Sequence, residues 1–137
     1  MIGLVTVGII SLLLIYFFIY NKPHTNYEMA KVIYTLPVYE LYQSFGDDKA
    51  LADSLYTGKM ILIEGSLTKT EVADSMVTAV FVFNQGMFGD EGVRCTLLPK
   101  FHKMIMLIKE GDLLKIKGYC AGYNDTDVIL EHCSIIN

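Results

Sequence analysis

The sequence predicts a mainly β domain, a five-stranded barrel of the OB type, behind one N-terminal membrane helix. Three observations lead to this fold class. The nineteen residues after Met1 carry no charged side chain, several later stretches alternate with a period of two, and a short helical pattern separates the third strand from the fourth. Three strands, a helix and two further strands is the order of an OB barrel.

The apolar stretch from Ile2 to Tyr20 is long enough to cross a bilayer, about 28 Å as a helix. It ends in an aromatic cluster typical of a membrane interface, and it offers neither a small-residue cleavage site nor a lipobox cysteine. We therefore expect an uncleaved signal-anchor helix over residues 1–21. The flanking positive charges are too few to indicate its orientation.

Residues 22–37 are predicted to be a linker that runs into a short strand or docked arm, with an extended-looking run at 31–35. Residues 38–137 are assigned to the OB domain. At its start, apolar positions between 38 and 56 recur at helical spacing and are interrupted near Gly46. This pattern predicts one helix or two short ones, ending at Gly58.

Alternation with a period of two predicts the five strands of the barrel. They are assigned to residues 60–67, 76–84, 93–98, 113–120 and 128–136. The first two are expected to form a hairpin that turns around Asp74. Pro99 begins the intervening helical pattern, which continues through Lys109 and ends at Gly111.

Size and charge limit the classes of function. With 137 residues the chain has room for one domain beside its anchor. Its net charge is −4 and its pI is about 5.2, and because the anchor is uncharged, all of the acidic excess belongs to the domain. A phosphate-binding surface needs a basic footprint, so the charge balance argues against nucleic acid.

The cysteines Cys95, Cys120 and Cys133 have no C-x-x-C spacing, which argues against a zinc ribbon or a thioredoxin-like motif. In an oxidising compartment one disulfide and one free thiol are expected, whereas in the cytosol all three would be buried thiols. A metal site that includes His132 is disfavoured, because His132 and Cys133 point to opposite faces of a strand.

An OB barrel that binds single strands uses aromatic side chains on its second and third strands together with a basic groove. The candidate ligand face is therefore Phe81, Phe83, Arg94, Lys115 and Lys117. For the two phenylalanines, core packing is the favoured interpretation.

The glycine-rich loop 85–92 joins two strands and carries carboxylates, so it does not resemble a phosphate-binding loop. Met87 and Phe88 at its tip are candidates for contact with a protein. The sequence contains no nucleophile elbow, paired metal-binding histidines or Walker loop, and its histidines are scattered. We expect no enzyme activity, cofactor or metal.

Several segments in a fixed order carry a family resemblance. They are Glu40–Phe45, Tyr56–Lys59, Ile63–Leu67, Gly92–Cys95, Lys109–Asp112, Ile116–Tyr123 and Asp127–Cys133. Over about residues 38–137 the chain resembles the tRNA_anti-like family of OB domains, common in short envelope proteins of bacteria, especially the Bacteroidetes group. The family's name records a likeness to anticodon-binding domains.

The resemblance implies a domain outside the cytoplasm and hence a disulfide among the cysteines. The preferred pair is Cys120 with Cys133, and Cys95 is the alternative partner of Cys133. A hairpin that turns at 124–126 places Cys133 opposite Gly118, one diagonal step from Cys120, and a bulge would close the gap.

The leading hypothesis is a non-enzymatic binding or assembly module of the cell envelope, on the periplasmic side of a bacterial inner membrane. Its partner would be a protein or glycan that contacts one barrel face and its loops. The alternative is a domain that binds single-stranded nucleic acid, as the fold analogy suggests.

Overall fold

The computed structural model describes residues 2–20 and 30–136. In chain order the elements are α1 (Ile2–Tyr20), β1 (Tyr34–Pro37), α2 (Val38–Asp47), α3 (Lys49–Tyr56), β2 (Met60–Ser66), β3 (Lys69–Ala73), β4 (Met76–Gly86), β5 (Gly89–Leu97), a 3₁₀ turn (Pro99–Phe101), α4 (His102–Met106), β6 (Leu113–Tyr123) and β7 (Asp127–Ile136).

The described strands form one sheet in the order β1-β2-β6-β7-β5-β4-β3. The second strand of this order, β2, runs directly into the last one, β3, because only Leu67 and Thr68 separate them. The Leu67 N–H donates to the carbonyl of Asp112, while the Thr68 N–H donates to that of Val80. The sheet therefore curls back on itself, with β2 and β3 acting as one long bent strand.

The predicted count of five strands is wrong, since the described sheet has seven. One extra strand arises because the first predicted strand bends at Leu67 and resumes as β3. The other is β1, which pairs in parallel with β2, overlaps the predicted extended run at 34–35, and is the short strand or arm expected there outside the five barrel strands. The mainly β class is confirmed, and the parallel pairing of β5 with β7 preserves the OB strand order.

Two short helical regions cover the two ends of the barrel. At one end α2 buries Leu41 and Phe45, and it breaks at Asp48, whose carboxylate accepts from the Leu51 N–H to begin α3. At the other end, the buried side chains are Phe101 of the 3₁₀ turn and Ile105 of α4. The predicted helix from Pro99 to Lys109 is shorter than expected, because Leu107 and Ile108 form 3₁₀-type bonds that end it.

The helix α1 contains no charged residue, and the side chains of residues 2–18 are exposed. Among the described residues, no helix is both long and apolar enough to cross a bilayer, and the membrane-spanning interpretation of residues 1–21 is not supported. Most of the predicted linker, residues 22–29, lies outside the described residues.

Candidate binding surface at the hairpin tip

The two predicted ligand-face phenylalanines lie on β4 and point to the inner side of the sheet. Phe81 is only 1% exposed and belongs to the barrel core. Phe83 lies at the end of the barrel, where its ring is 5.2 Å from that of Tyr39 and 5.5 Å from that of Tyr42. The Phe81 ring is closed to a stacking base, and the half-buried Phe83 ring already packs against two tyrosines.

Both tyrosines that pack against Phe83 come from α2, and neither was among the predicted site residues. Their spacing of three residues places Tyr39 and Tyr42 on one helix face, which is a signal that the sequence did offer. Burial, followed by the nearby Glu91 carboxylate, raises the pKa of Tyr42 above its usual value. The same two causes raise the pKa of Tyr123, which packs against Phe45.

Arg94 lies on the outer face of β5, where acidic neighbours engage it. Lys69, Val80 and Arg94 stand in register across β3, β4 and β5. Arg94 forms an ion pair with Glu71, and Lys69 contacts Glu71 at 3.2 Å and Asp90 at 2.8 Å. Two cations and two carboxylates therefore neutralise one another where a phosphate backbone would need positive charge.

The lysines of the predicted ligand face lie on β6, and β7 separates them from Arg94 on β5. Lys115 is exposed, whereas Lys117 is buried beside Ser134 of β7. The five predicted residues therefore divide into an inner pair, an ion-paired arginine and a separate pair of lysines. The structure does not bring them together as one site.

The three cysteines lie inside the barrel as free thiols, each fully buried. A hydrogen bond joins the thiols of Cys133 and Cys95, which favours the alternative pair of the sequence analysis. Burial raises the pKa of Cys120 to about 11. Burial and then the bond to Cys95 raise the pKa of Cys133 well above its usual value. Protonated and buried thiols are poor nucleophiles.

Gly118 and Cys133 are in contact, because a Cβ placed on Gly118 would meet the Cys133 Sγ at 2.6 Å, but they are not a register pair as expected, since Lys117 pairs with Ser134 and Tyr119 with Glu131. The register between β6 and β7 shifts at this point, and His132 has a positive φ of 53°. His102 lies elsewhere, with Nε2 at 3.2 Å from the Leu97 carbonyl oxygen. His24 lies outside the described residues. Within the described part of the chain, no cluster of three or more His, Cys, Asp or Glu side chains could hold a metal ion.

The hairpin tip, Gly86–Gly89, presents the most exposed apolar residues of the domain. Gly86 and Gly89 pair across the end of β4 and β5, and Gly89 has a φ of 118°, which suits glycine. Between them Met87 is 92% exposed and Phe88 is 90% exposed. Both side chains therefore stand in solvent with no cover from the domain.

Carboxylates form an acidic rim below the hairpin tip. A small cavity of about 70 Å³ is lined by Phe88, Gly89, Asp90, Glu91, Thr126 and Asp127. The rim is held in place: the Asn84 amide donates to Glu91 at 3.0 Å, and Asp127 accepts from the Gly92 N–H at 3.0 Å. An apolar tip on an ordered acidic base suits an apolar socket with basic edges.

The family model for tRNA_anti-like proteins matches residues 1–135. The chain belongs to the tRNA_anti-like family. No curated protein matches this tRNA_anti-like chain.

One of the solved structures that match this tRNA_anti-like chain superposes closely enough to share its fold. A "putative nucleic acid-binding lipoprotein" of Klebsiella pneumoniae superposes with a TM-score of 0.53 at 15% identity, covering 84% of this chain and all of that one. OBody AM3L15 bound to hen egg-white lysozyme gives 0.40 at 17% identity, covering 59% and 79%. The mitochondrial single-stranded DNA-binding protein Rim1 of S. cerevisiae gives 0.38 at 10% identity, covering 58% and 94%.

Proposed function

We propose that this chain is a non-enzymatic binding module of the cell envelope that holds a protein partner through its hairpin tip. The exposure of Met87 and Phe88 above the acidic rim carries this proposal. Two adjacent apolar side chains in water have no stabilising role in the isolated domain. Covering each of them in a partner would be worth about 1.5–3 kcal/mol, which is the scale of an interface anchor.

The charges around the tip favour a partner with basic side chains. Asp90, Glu91 and Asp127 lie directly below the tip, and of these Asp90 is paired with Lys69. A partner with an apolar socket and basic edges would gain both desolvation of the tip and charge complementarity. An anionic surface would be repelled from the same place.

Photo-cross-linking tests this proposal. The photoreactive analogue p-benzoylphenylalanine replaces Phe88 in the full chain, which is expressed in its host cell and irradiated. We expect protein adducts from position 88 that decrease when Met87→Asp is added. The control places the analogue at Val72, which is 61% exposed on β3, away from the hairpin tip. Adducts from position 72 that equal those from position 88 would refute the proposal.

Single-stranded nucleic-acid binding remains the second candidate, supported by the family membership and by the name of the Klebsiella relative. Arg94 and Lys69 are its natural phosphate contacts on the outer face, and their ion pairs with carboxylates oppose it. Fluorescence anisotropy of labelled single-stranded oligonucleotides tests whether the domain binds them. A salt-sensitive rise that Arg94→Gln weakens would favour this candidate, whereas no change at low ionic strength would exclude it.

The envelope location is part of the proposal, and it is supported by the Klebsiella relative, which is described as a lipoprotein. A fusion of alkaline phosphatase after residue 137 tests it, because this enzyme folds to its active form only under oxidising conditions. We expect activity in intact cells. An inactive but intact fusion would place the domain in the cytoplasm.

A further inference from the structure

The hairpin tip has a counterpart at the opposite end of the barrel. The strand β5 begins at the tip with Gly89 and ends at Leu97, next to the 3₁₀ turn that leads into α4. Its nine residues span about 30 Å. A tip and an α4 region that lie a strand length apart cannot meet within one molecule.

The α4 region carries an exposed apolar surface of its own. Leu107 is 84% exposed, Leu113 is 66% exposed and Met106 is 53% exposed. Lys103 lies three and four residues before Met106 and Leu107, and a helix places residues at those spacings on one face. We call the set Lys103, Met106, Leu107, Lys109 and Leu113 the basic patch.

The cations of the basic patch differ from those near the tip in having no carboxylate partner. At the tip end Lys49 is paired with Asp125, and Lys69 with Asp90. Within the described residues, Lys103 and Lys109 are exposed and take part in no ion pair. Between residues 100 and 115, four exposed lysines (Lys100, Lys103, Lys109 and Lys115) outnumber two exposed carboxylates (Glu110 and Asp112). The chain is thus acidic with an apolar tip at one end, and basic with an apolar patch at the other.

We infer that the partner of the hairpin tip is a second copy of this chain, whose basic patch receives Met87 and Phe88. The inference rests on the proposed function and names the partner of that same site. Apolar side chains would meet at the centre of the contact, and the acidic rim of one copy would face Lys103 and Lys109 of the next. This arrangement matches the general pattern of an apolar interface core with a charged border.

The symmetry of the contact follows from its composition. Two different surfaces meet, so each copy still has a free tip or a free patch after the first contact forms. Such a head-to-tail interface builds open chains, or a ring if the rotation closes. Anionic lipid and nucleic acid fit less well, because either would be attracted by the basic patch and repelled by the acidic rim.

The test uses two full-length copies with different affinity tags, expressed in the same cells. The donor copy carries p-benzoylphenylalanine at position 88, and mass spectrometry locates its adducts on the acceptor copy. We expect adducts within residues 100–115 of the acceptor. The analogue at Val72 of the donor serves as the control position.

Variants of the acceptor establish the direction of the contact. Leu107→Asp in the acceptor removes the patch and should abolish the adduct, whereas Met87→Ser with Phe88→Ser in the acceptor should leave the adduct unchanged. Lys103→Glu should lower the yield about fivefold, which is the effect of losing an exposed charge pair and gaining repulsion. Lys31→Glu changes the net charge equally at another exposed site and should have no effect.

The outcomes separate the two proposals. Adducts on an unrelated protein would overturn the self-association and leave the proposed function standing. An absence of protein adducts from position 88 would overturn both. Adducts on the tip of the acceptor, lost in the Met87→Ser, Phe88→Ser variant, would replace the head-to-tail contact by a symmetric one and so overturn this inference.

Discussion

Gly118 of β6 lies directly against the thiol of Cys133 on β7. A Cβ at position 118 would come within 2.6 Å of the Cys133 Sγ and 3.1 Å of the Leu130 Cδ2. Since Cys133 and Leu130 are both buried in the barrel, neither side chain can move into solvent to make room.

We therefore predict that Gly118→Ala lowers the free energy of unfolding by about 1–3 kcal/mol, the usual range for an overpacked core. Urea unfolding followed by circular dichroism would measure the change. Gly46→Ala is the matched control, because a Cβ at that helical position meets nothing within 4 Å. That control should stabilise the protein by roughly 0.5–1 kcal/mol.

A double-mutant cycle sharpens this prediction. Combining Gly118→Ala with Cys133→Ala removes the sulfur that the new methyl group would meet. The two effects should then be less than additive, with a coupling of about 1 kcal/mol. Strict additivity would show that the clash is relieved elsewhere, and our account of the Gly118 contact would be wrong.

The stability of the domain should fall in alkaline solution. Burial raises the pKa of Cys120 from 9.0 to about 11, so the folded state holds this proton more tightly than the unfolded state does. The contribution is complete below pH 9 and is lost as the pH rises towards 11, amounting to about 2–3 kcal/mol in all. The urea concentration at the midpoint of unfolding should therefore decrease between pH 8 and pH 11.

The comparison with Cys120→Ala isolates this thiol from other groups that titrate in the same range. The pKa values of Cys133, Tyr42 and Tyr123 are also raised, so some alkaline destabilisation should remain in the variant. The wild type should lose more stability over this interval than Cys120→Ala does. Parallel curves for the two proteins would exclude Cys120 as a source of the pH dependence.

The thiols should be inert in the native protein. All three are fully buried, so Ellman's reagent should react with them only as fast as the barrel opens. If the domain is oxidised outside the cytoplasm, peptide mapping should find Cys95 joined to Cys133, because these thiols are hydrogen-bonded. Rapid labelling in the absence of denaturant, or a Cys120–Cys133 bridge, would contradict the arrangement described above.

Truncation should destabilise the domain at one phenylalanine of the β4–β5 hairpin and leave its stability almost unchanged at another. Phe83 packs against Tyr39 and Tyr42, so Phe83→Ala should lower the free energy of unfolding by about 2–3 kcal/mol. Phe88 is 90% exposed, and Phe88→Ala should change the free energy of unfolding by less than about 0.5 kcal/mol. Thermal unfolding of the two variants measures both changes in stability. Equal destabilisation would mean that the hairpin tip packs against the domain.

Most of the strands could be predicted from the alternation of apolar and polar residues, because a strand with one buried face places every second side chain in the core. The strand β3 was missed for a physical reason. It pairs with β4 alone among the described strands, and its residues Lys69–Ala73 are all half-buried or exposed. Without a buried face it shows no apolar alternation, although the turn after it at Asp74 was expected.

The ligand face could not be predicted in the same way. Whether Arg94 is available depends on Glu71, which lies 23 residues away and reaches it across β4. The pairing of two side chains across non-adjacent strands has no local signature in the sequence. Met87 and Phe88, in contrast, stood out from sequence because apolar residues between glycines in a loop have no core to join.

The bend at Leu67 also affects the tendency of the protein to aggregate at high concentration. It connects β2 to β3, and among the described residues only the short strands β1 and β3 have an outer edge. β1 has four residues and ends in Pro37, while β3 carries Lys69 and Glu71. Short edges with proline or charge resist strand addition by another chain. Molecules crowded together are therefore protected from amyloid-like aggregation through their backbones, and any association must be specified by side chains.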